Sequence, residues 1–121
     1  MLSTQEMCCN ILTVHEGVRW VKVIDHQGKI AFEMKKPYIE PYLSKEAMES
    51  LRVLWIDVIR GIIGRVAQYW GPPQHLHIQF SKVVLFGFPF VSGAVVVVAE
   101  PNVPLTVIGG IQQILRSGIE A

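Results

Sequence analysis

Cysteine is scarce in this sequence, and its placement excludes two common ways of stabilising a small protein. The 121 residues contain two cysteines, Cys8 and Cys9, which are neighbours. Adjacent cysteines would form a strained ring if bridged, and no second pair exists to complete a zinc site. We expect them to serve as small core residues in a reducing compartment, which predicts a cytoplasmic protein. A redox-active vicinal dithiol is the alternative.

Charge is scarce as well. Charged residues make up 17% of the chain and hydrophobic residues 50%, whereas about 25% charged is usual. The net charge is +1, and neither a basic nor an acidic run is present. This composition excludes an intrinsically disordered chain and a polybasic arm, so no nucleic-acid partner is expected. A chain this apolar needs either a membrane or a protein partner.

The longest uncharged run covers residues 83–99, which is the lower limit for crossing a bilayer. Pro89 lies in its middle, Ser92-Gly93 is typical of a turn, and valine and phenylalanine dominate the rest. Those residues favour strands over a helix. The run therefore predicts two strands, and we expect no membrane span.

Catalytic motifs are absent too. The sequence has no phosphate-binding glycine loop, nucleophile elbow, zinc-protease motif or C-x-x-C pair. His75 and His77 share one face of a predicted strand and are the weak candidates for a metal site, but no third ligand is near them in sequence. We therefore predict no metal, no cofactor and no enzymatic activity.

Periodicity and turn signals predict an α+β fold with the order α-β-β-α-β-β-β-α, a single domain over residues 1–121 built on a five-stranded antiparallel sheet. Ser3 and Glu6 have the spacing of a capping box, Ser44 is a good N-cap, and Asp25-His26-Gln27-Gly28 predicts a tight turn. The expected elements are a helix over about 4–14, a hairpin over about 18–34, a long helix over about 45–69, a meander over about 76–100 and a helix over about 105–117.

The long helix has two apolar stripes. The first is wide enough to cover a sheet, and it comprises Ala47, Met48, Leu51, Leu54, Trp55, Val58, Ile59, Ile62, Val66 and Tyr69. A monomer would not normally expose the second stripe to water. We therefore predict a homodimer, with the first helix or residues 37–43 covering that stripe as the alternative. The predicted dimer interface consists of Val53, Ile56, Arg60, Ile63, Ala67 and Trp70.

Two stretches of the sequence resemble a known family. The hairpin GVRWVKVIDHQGKI is similar to the opening hairpin of Roadblock domains, in the Roadblock/longin/profilin-like group. The pair KVVLFGFPF and AVVVVAEPNV resembles the meander of uncharacterised archaeal Roadblock-like proteins. The resemblance implies a homodimer formed through the long helix and an edge strand. It also implies a platform or regulator for small Ras-like GTPases, or a part of a larger complex.

A second functional hypothesis is a small-molecule sensor of the PAS, GAF or profilin-like type. That hypothesis requires a ligand cavity between the sheet and the long helix. The large side chains available look more like cavity fillers; they are Trp20, Phe32, Trp55, Phe86 and Phe88.

Overall fold

Five antiparallel strands form one sheet in the order β2-β1-β5-β4-β3. The structure is a computed structural model, and it describes residues 3–37, 44–58, 61, 64–90 and 93–119. The elements are α1 (Thr4–Leu12), β1 (Val18–Asp25), β2 (Ile30–Lys35), α2 (Lys45–Ile56), α3 (Gly64–Trp70), β3 (Leu76–Gln79), β4 (Val84–Phe90), β5 (Gly93–Ala99) and α4 (Thr106–Ile119). The predicted α+β class and the five-stranded antiparallel sheet are confirmed.

The main core lies between one face of the sheet and the helices α1 and α4. Alternate residues of β4 and β5 point into it, since Phe86 pairs with Val97 and Phe88 pairs with Val95. The helices contribute apolar residues at helical spacing, and the chief ones are Met7, Cys8, Ile11, Val107 and Ile111. Cys8 is fully buried, and burial raises the pKa of its thiol to about 11. Cys8 is thus a core residue, as the sequence indicated, whereas Cys9 is exposed and the expectation is wrong for that residue.

The opposite face of the sheet is also apolar in its middle. Ile24, Leu85 and Ala94 alternate with the core residues along β1, β4 and β5, and all three are buried. On this face of the central strand β5, Ala94 is buried while Val96 and Val98 are half-buried, so both faces of the strand are at least partly covered, in line with its continuous apolar sequence. The run over residues 83–99 forms β4 and β5. Within the described ranges no helix has both the length and the hydropathy that a bilayer crossing requires.

The predicted capping residues at two helix starts and the predicted hairpin turn are present in the structure. The Ser3 hydroxyl accepts the Glu6 N–H at 3.1 Å, and the Ser44 hydroxyl accepts the Ala47 N–H at 3.2 Å. In the turn, the Asp25 carboxylate accepts the N–H groups of residues 27 and 29 at 2.9 and 3.0 Å. These hydrogen bonds lower the pKa of Asp25, because they stabilise its ionised form. Gly28 closes the turn with φ 78°.

The long helix differs in one respect from the prediction. It consists of two α-helical parts, α2 and α3, and the described residues between them (Asp57, Val58 and Gly61) have π-helical geometry. Gly61 and Gly64 have low helix propensity, so this stretch is where the regular hydrogen-bond ladder is least costly to interrupt. A π-helical turn holds more residues than an α-helical one, and it therefore rotates everything that follows about the helix axis.

Gly28 and Gly71 provide a matched test of how tightly α2 meets the hairpin turn. Both have positive φ (78° and 85°), but only Gly28 has neighbours near the place of a Cβ. A Cβ there would overlap Ile56 Cδ1 and lie 2.8 Å from Ile56 Cγ1, whereas a Cβ at position 71 would meet nothing within 4 Å. We expect Gly71→Ala to lower the free energy of unfolding by about 1–2 kcal/mol, the usual cost of a left-handed residue. Gly28→Ala should cost more, because it adds the clash.

Urea denaturation of the two variants measures both losses. Equal losses would show that α2 does not press on the turn.

Candidate interaction surface

Most of the large apolar side chains left exposed lie in α2, in α3 and around β3. Trp70 and Tyr69 are 86% and 79% exposed. Val53, Ile78 and Phe80 are 47%, 37% and 44% exposed. Elsewhere in the described ranges only Ile30 and Leu105 are comparable. Large apolar side chains exposed in this number are candidates for an interaction surface.

The hairpin turn holds α2 in place. Arg52 Nη1 donates a hydrogen bond to the backbone carbonyl of Gln27 at 2.9 Å. The same guanidinium is paired in a bidentate manner with Glu49, whose Oε2 accepts from Arg52 Nε at 2.9 Å and whose Oε1 accepts from Nη2. The pairing raises the pKa of Arg52 and lowers that of Glu49, since each charge stabilises the other. Arg52 thereby connects the helix to the turn.

Ile56 lies on the same side of α2 as Arg52. Its side chain is half-buried against Gly28 of its own hairpin turn. Val53 comes one residue after Arg52, about 100° around the helix, and is 47% exposed. The structure therefore separates two residues that the sequence analysis placed in one stripe: Val53 is available to a partner, whereas Ile56 is engaged within its own chain.

In α3, the predicted interface residue Trp70 is exposed and Ala67 is half-buried. Tyr69, which the sequence analysis placed on the sheet-facing stripe, is instead solvent-exposed. Asp57, Val58 and Gly61, upstream of α3, have π-helical geometry, so a helix wheel of 3.6 residues per turn does not carry over from α2 to α3. The remaining predicted residues, Arg60 and Ile63, lie outside the described residues.

The two edges of the sheet differ in charge. The β2 edge, over residues 29–36, carries Lys29, Glu33, Lys35 and Lys36, and charged side chains on an edge strand discourage pairing with another chain. The other edge, β3, has the sequence Leu-His-Ile-Gln and carries no Asp, Glu, Lys or Arg. β3 is therefore the edge that permits a further strand to pair.

Ile78 is the exposed apolar residue of this edge strand. It pairs with Leu85, which lies on the face of the sheet away from the α1/α4 core. Sequence analysis missed Ile78 and Phe80 as surface residues, because alternation shows which face a residue occupies but not whether its strand ends the sheet.

Near β2, the sheet face away from the α1/α4 core is covered by polar and cation–π contacts within the chain. Trp20 Nε1 donates to Glu33 Oε2 at 3.1 Å, and Lys22 Nζ lies 4.2 Å from the centroid of the Trp20 ring. Lys35 Nζ is 5.4 Å from the same centroid. Burial lowers the pKa of Lys22, and the Glu33 carboxylate opposes that shift. This end of the face is thus occupied by groups of its own chain, which leaves the β3 end for a partner.

The weak metal candidates, His75 and His77, lie on the α1/α4 side of the β3 edge. The His77 ring is 5.5 Å from that of Phe86, and the His75 ring is 6.3 Å from that of Phe88. His75 Nδ1 lies 3.5 Å from the Gln112 side-chain amide. Both imidazoles are exposed. Within a single chain, the described residues contain no group of three or more His, Cys, Asp and Glu that could hold a metal ion.

Comparison with solved structures identifies the fold. The structure of a Roadblock/LC7 domain from Streptomyces avermitilis is similar, with TM-score 0.68 and 9% identity over 92% of this chain and 90% of that one. A structure described as MglB with tetrameric arrangement has TM-score 0.70 and 15% identity over 99% and 94% of the chains. The gliding protein MglB from Thermus thermophilus gives TM-score 0.65 and 13% identity over 98% and 96%.

No protein-family model and no curated protein matches the sequence. The chain has the Roadblock/LC7 fold, as the hairpin and meander indicated. The likeness to archaeal proteins stays a prediction.

The different positions of Ile56 and Val53 predict different effects of the same substitution. Ile56→Glu places a charge against the hairpin turn, and we expect it to lower the free energy of unfolding by about 1–3 kcal/mol. Val53→Glu exchanges an exposed side chain, and its effect should stay within about 0.5 kcal/mol. Urea unfolding, followed at protein concentrations where light scattering shows both variants to be monomeric, separates the two. A larger loss for Val53→Glu would contradict the assignment.

Proposed function

We propose that this chain is a non-enzymatic interaction module that forms a homodimer and serves as a platform or regulator for a small Ras-like GTPase. The observation that carries the proposal is the exposure of large apolar residues on α2 and α3 together with an uncharged edge strand that exposes Ile78. Val53 and Trp70 supply the helical part of this surface, and Ile78 supplies the strand part. A second copy of the chain offers the same chemistry in return, which is the requirement for an isologous interface.

The proposed dimer joins the two β3 strands in antiparallel fashion about a two-fold axis. The two five-stranded sheets then form one continuous sheet, and the two copies of α2 and α3 lie side by side on the same face. Removing Trp70 from water is the largest single gain, because buried tryptophan side chains dominate the energetics of many interfaces. The charged β2 edges stay at the two ends of the extended sheet.

The fold likeness supports self-association without establishing it for this chain. The MglB structure with 15% identity is described as a tetrameric arrangement, so a protein of this fold assembles with itself. At this level of identity the likeness concerns the fold alone. The evidence specific to this chain is the exposure of Val53, Trp70 and Ile78.

The GTPase part of the proposal comes from the resemblance of the hairpin and meander to Roadblock domains. Binding a GTPase is a function that the dimer could perform without a catalytic group of its own. A continuous sheet shared by two chains, with a paired helical layer, is a rigid surface on which another folded protein can bind.

The dimer can be tested by substitution of Trp70. We expect the wild-type chain to be dimeric at micromolar concentration in light scattering, and Trp70→Glu to weaken the dimer at least about tenfold, or about 1.4 kcal/mol. Leu105→Glu is the matched control, because Leu105 is 59% exposed but lies before α4, outside the proposed interface.

Ile78→Lys on β3 should likewise weaken the dimer, with Ile30→Lys on β2 as its control. A wild-type monomer would refute the proposal, as would equal effects of the variants and their controls.

The GTPase partner requires a different experiment. The immobilised wild-type chain is incubated with native lysate containing either GDP or a non-hydrolysable GTP analogue, and the bound proteins are identified by mass spectrometry. We expect a Ras-like GTPase to be enriched in one nucleotide state and depleted when Trp70→Glu replaces the wild type, because the platform requires the dimer. If no GTPase is retained in either state, the GTPase part of the proposal is wrong. The dimer is tested separately by light scattering.

A further inference from the structure

We infer that His75 and His77 form half of a zinc site, which is completed by the same two residues of a second copy across the β3 edge. The inference rests on the proposed dimer, because one chain alone supplies only two ligands. It concerns the face of the sheet opposite to α2 and α3. The exposed apolar residues of the proposed interface and the two histidines therefore lie on opposite sides of the same edge strand.

The two imidazoles are placed as a pair by the strand. Residues two apart in a strand point to the same face, about 6.6 Å apart along the backbone. Here the shared face is shown by the aromatic rings beneath them, since His77 lies over Phe86 and His75 lies over Phe88. Both rings remain exposed although their neighbours in β4 are buried. The pair therefore faces solvent at the rim of the sheet, where a second chain would add its strand.

Symmetry supplies the missing ligands. In a continuous sheet the two-fold axis is perpendicular to the sheet, so side chains on one face of the first β3 meet side chains on the same face of the second. His75 and His77 are both odd-numbered and share one face, so in any symmetric register each of them lies opposite an odd-numbered residue of the second copy. The register that pairs His75 with His77 of the second copy brings four imidazoles together, with directly opposite Cβ atoms about 4.5–5.5 Å apart.

Four imidazoles suit a zinc ion. Zinc in proteins is most often tetrahedral and accepts histidine nitrogen at about 2.0–2.1 Å. Carboxylates are missing from β3 itself, which disfavours calcium and magnesium because they require oxygen ligands. The absence of a three-ligand group among the described residues of one chain is the expected result when a two-fold axis divides the site.

Gln112 of α4 is the positioning residue for this site. Its side-chain amide lies 3.5 Å from His75 Nδ1. The nearer amide atom is Gln112 Nε2, so the amide must be turned to exchange Oε1 and Nε2 before it can accept the Nδ1 proton that a histidine carries when it binds zinc through Nε2. In that orientation the hydrogen bond holds the ring with Nδ1 toward Gln112 and leaves Nε2 free to bind the metal.

The test compares the dimer in zinc and in EDTA. We expect isothermal titration of the wild-type chain to give one zinc ion per two chains. Sedimentation should show a dimer dissociation constant at least about tenfold lower in zinc than in EDTA, because zinc binds the dimer and not the separated chains. Cobalt(II) in place of zinc should give the intense visible absorption of a tetrahedral site. His75→Gln and His77→Gln should each abolish the cobalt spectrum and the zinc-dependent tightening, and Gln112→Leu should weaken zinc binding without changing the stoichiometry.

His26→Gln is the matched control, since His26 is exposed in the β1–β2 turn at the far end of the sheet. It should leave zinc binding and the dimer unchanged. A wild-type dimer with the same dissociation constant in zinc and in EDTA overturns the zinc site and leaves the proposed function intact. Zinc bound at one ion per chain, or binding that survives His77→Gln, overturns it as well. A wild-type monomer in both conditions refutes the proposed dimer and the zinc site together.

Discussion

The contact between the β1–β2 turn and α2 fixes the rotation of the helix, and the exposed surface of the chain depends on that rotation. Gly28 leaves room for Ile56, and Arg52 reaches the carbonyl of Gln27 from the same side of the helix. Successive helical residues are about 100° apart, so holding these two side chains against the turn directs Val53 outward. A side chain at position 28 would displace the Ile56 side chain from the turn and weaken this contact.

Signals that act over a few residues could be predicted from the sequence. Ser3 and Ser44 cap their helices, and Gly28 takes the positive φ that its turn requires. The continuous apolar sequence of β5 indicated a central strand, and the sheet order places it there. These features depend on the chemistry of neighbouring residues, so the sequence alone determines them. The resemblance of the hairpin and meander indicated the fold for the same reason.

Features that depend on tertiary geometry could not be predicted in this way. The helix wheel assumed 3.6 residues per turn throughout and placed Tyr69 toward the sheet, whereas Tyr69 is exposed and the described residues between α2 and α3 are π-helical. Alternation correctly grouped His75 and His77 on one face, but it does not show which strand ends a sheet. Ile56 was grouped with Val53 because both are apolar at helical spacing. Only the position of the hairpin turn separates them.

The difference between the two sheet edges also bears on how far the proposed self-association would proceed. If β2 and β3 were both free of charge, β2 of one copy could pair with β3 of the next, and that head-to-tail contact would extend into a fibre. The β2 edge carries Lys29, Glu33, Lys35 and Lys36, which makes such pairing unfavourable. Pairing of β3 with β3 of a second copy uses the uncharged edge of both copies, so no uncharged edge is left to which a third copy could add. In the proposed dimer, a sheet with one charged and one uncharged edge would therefore stop at two copies through edge pairing, and any larger assembly would have to use another surface.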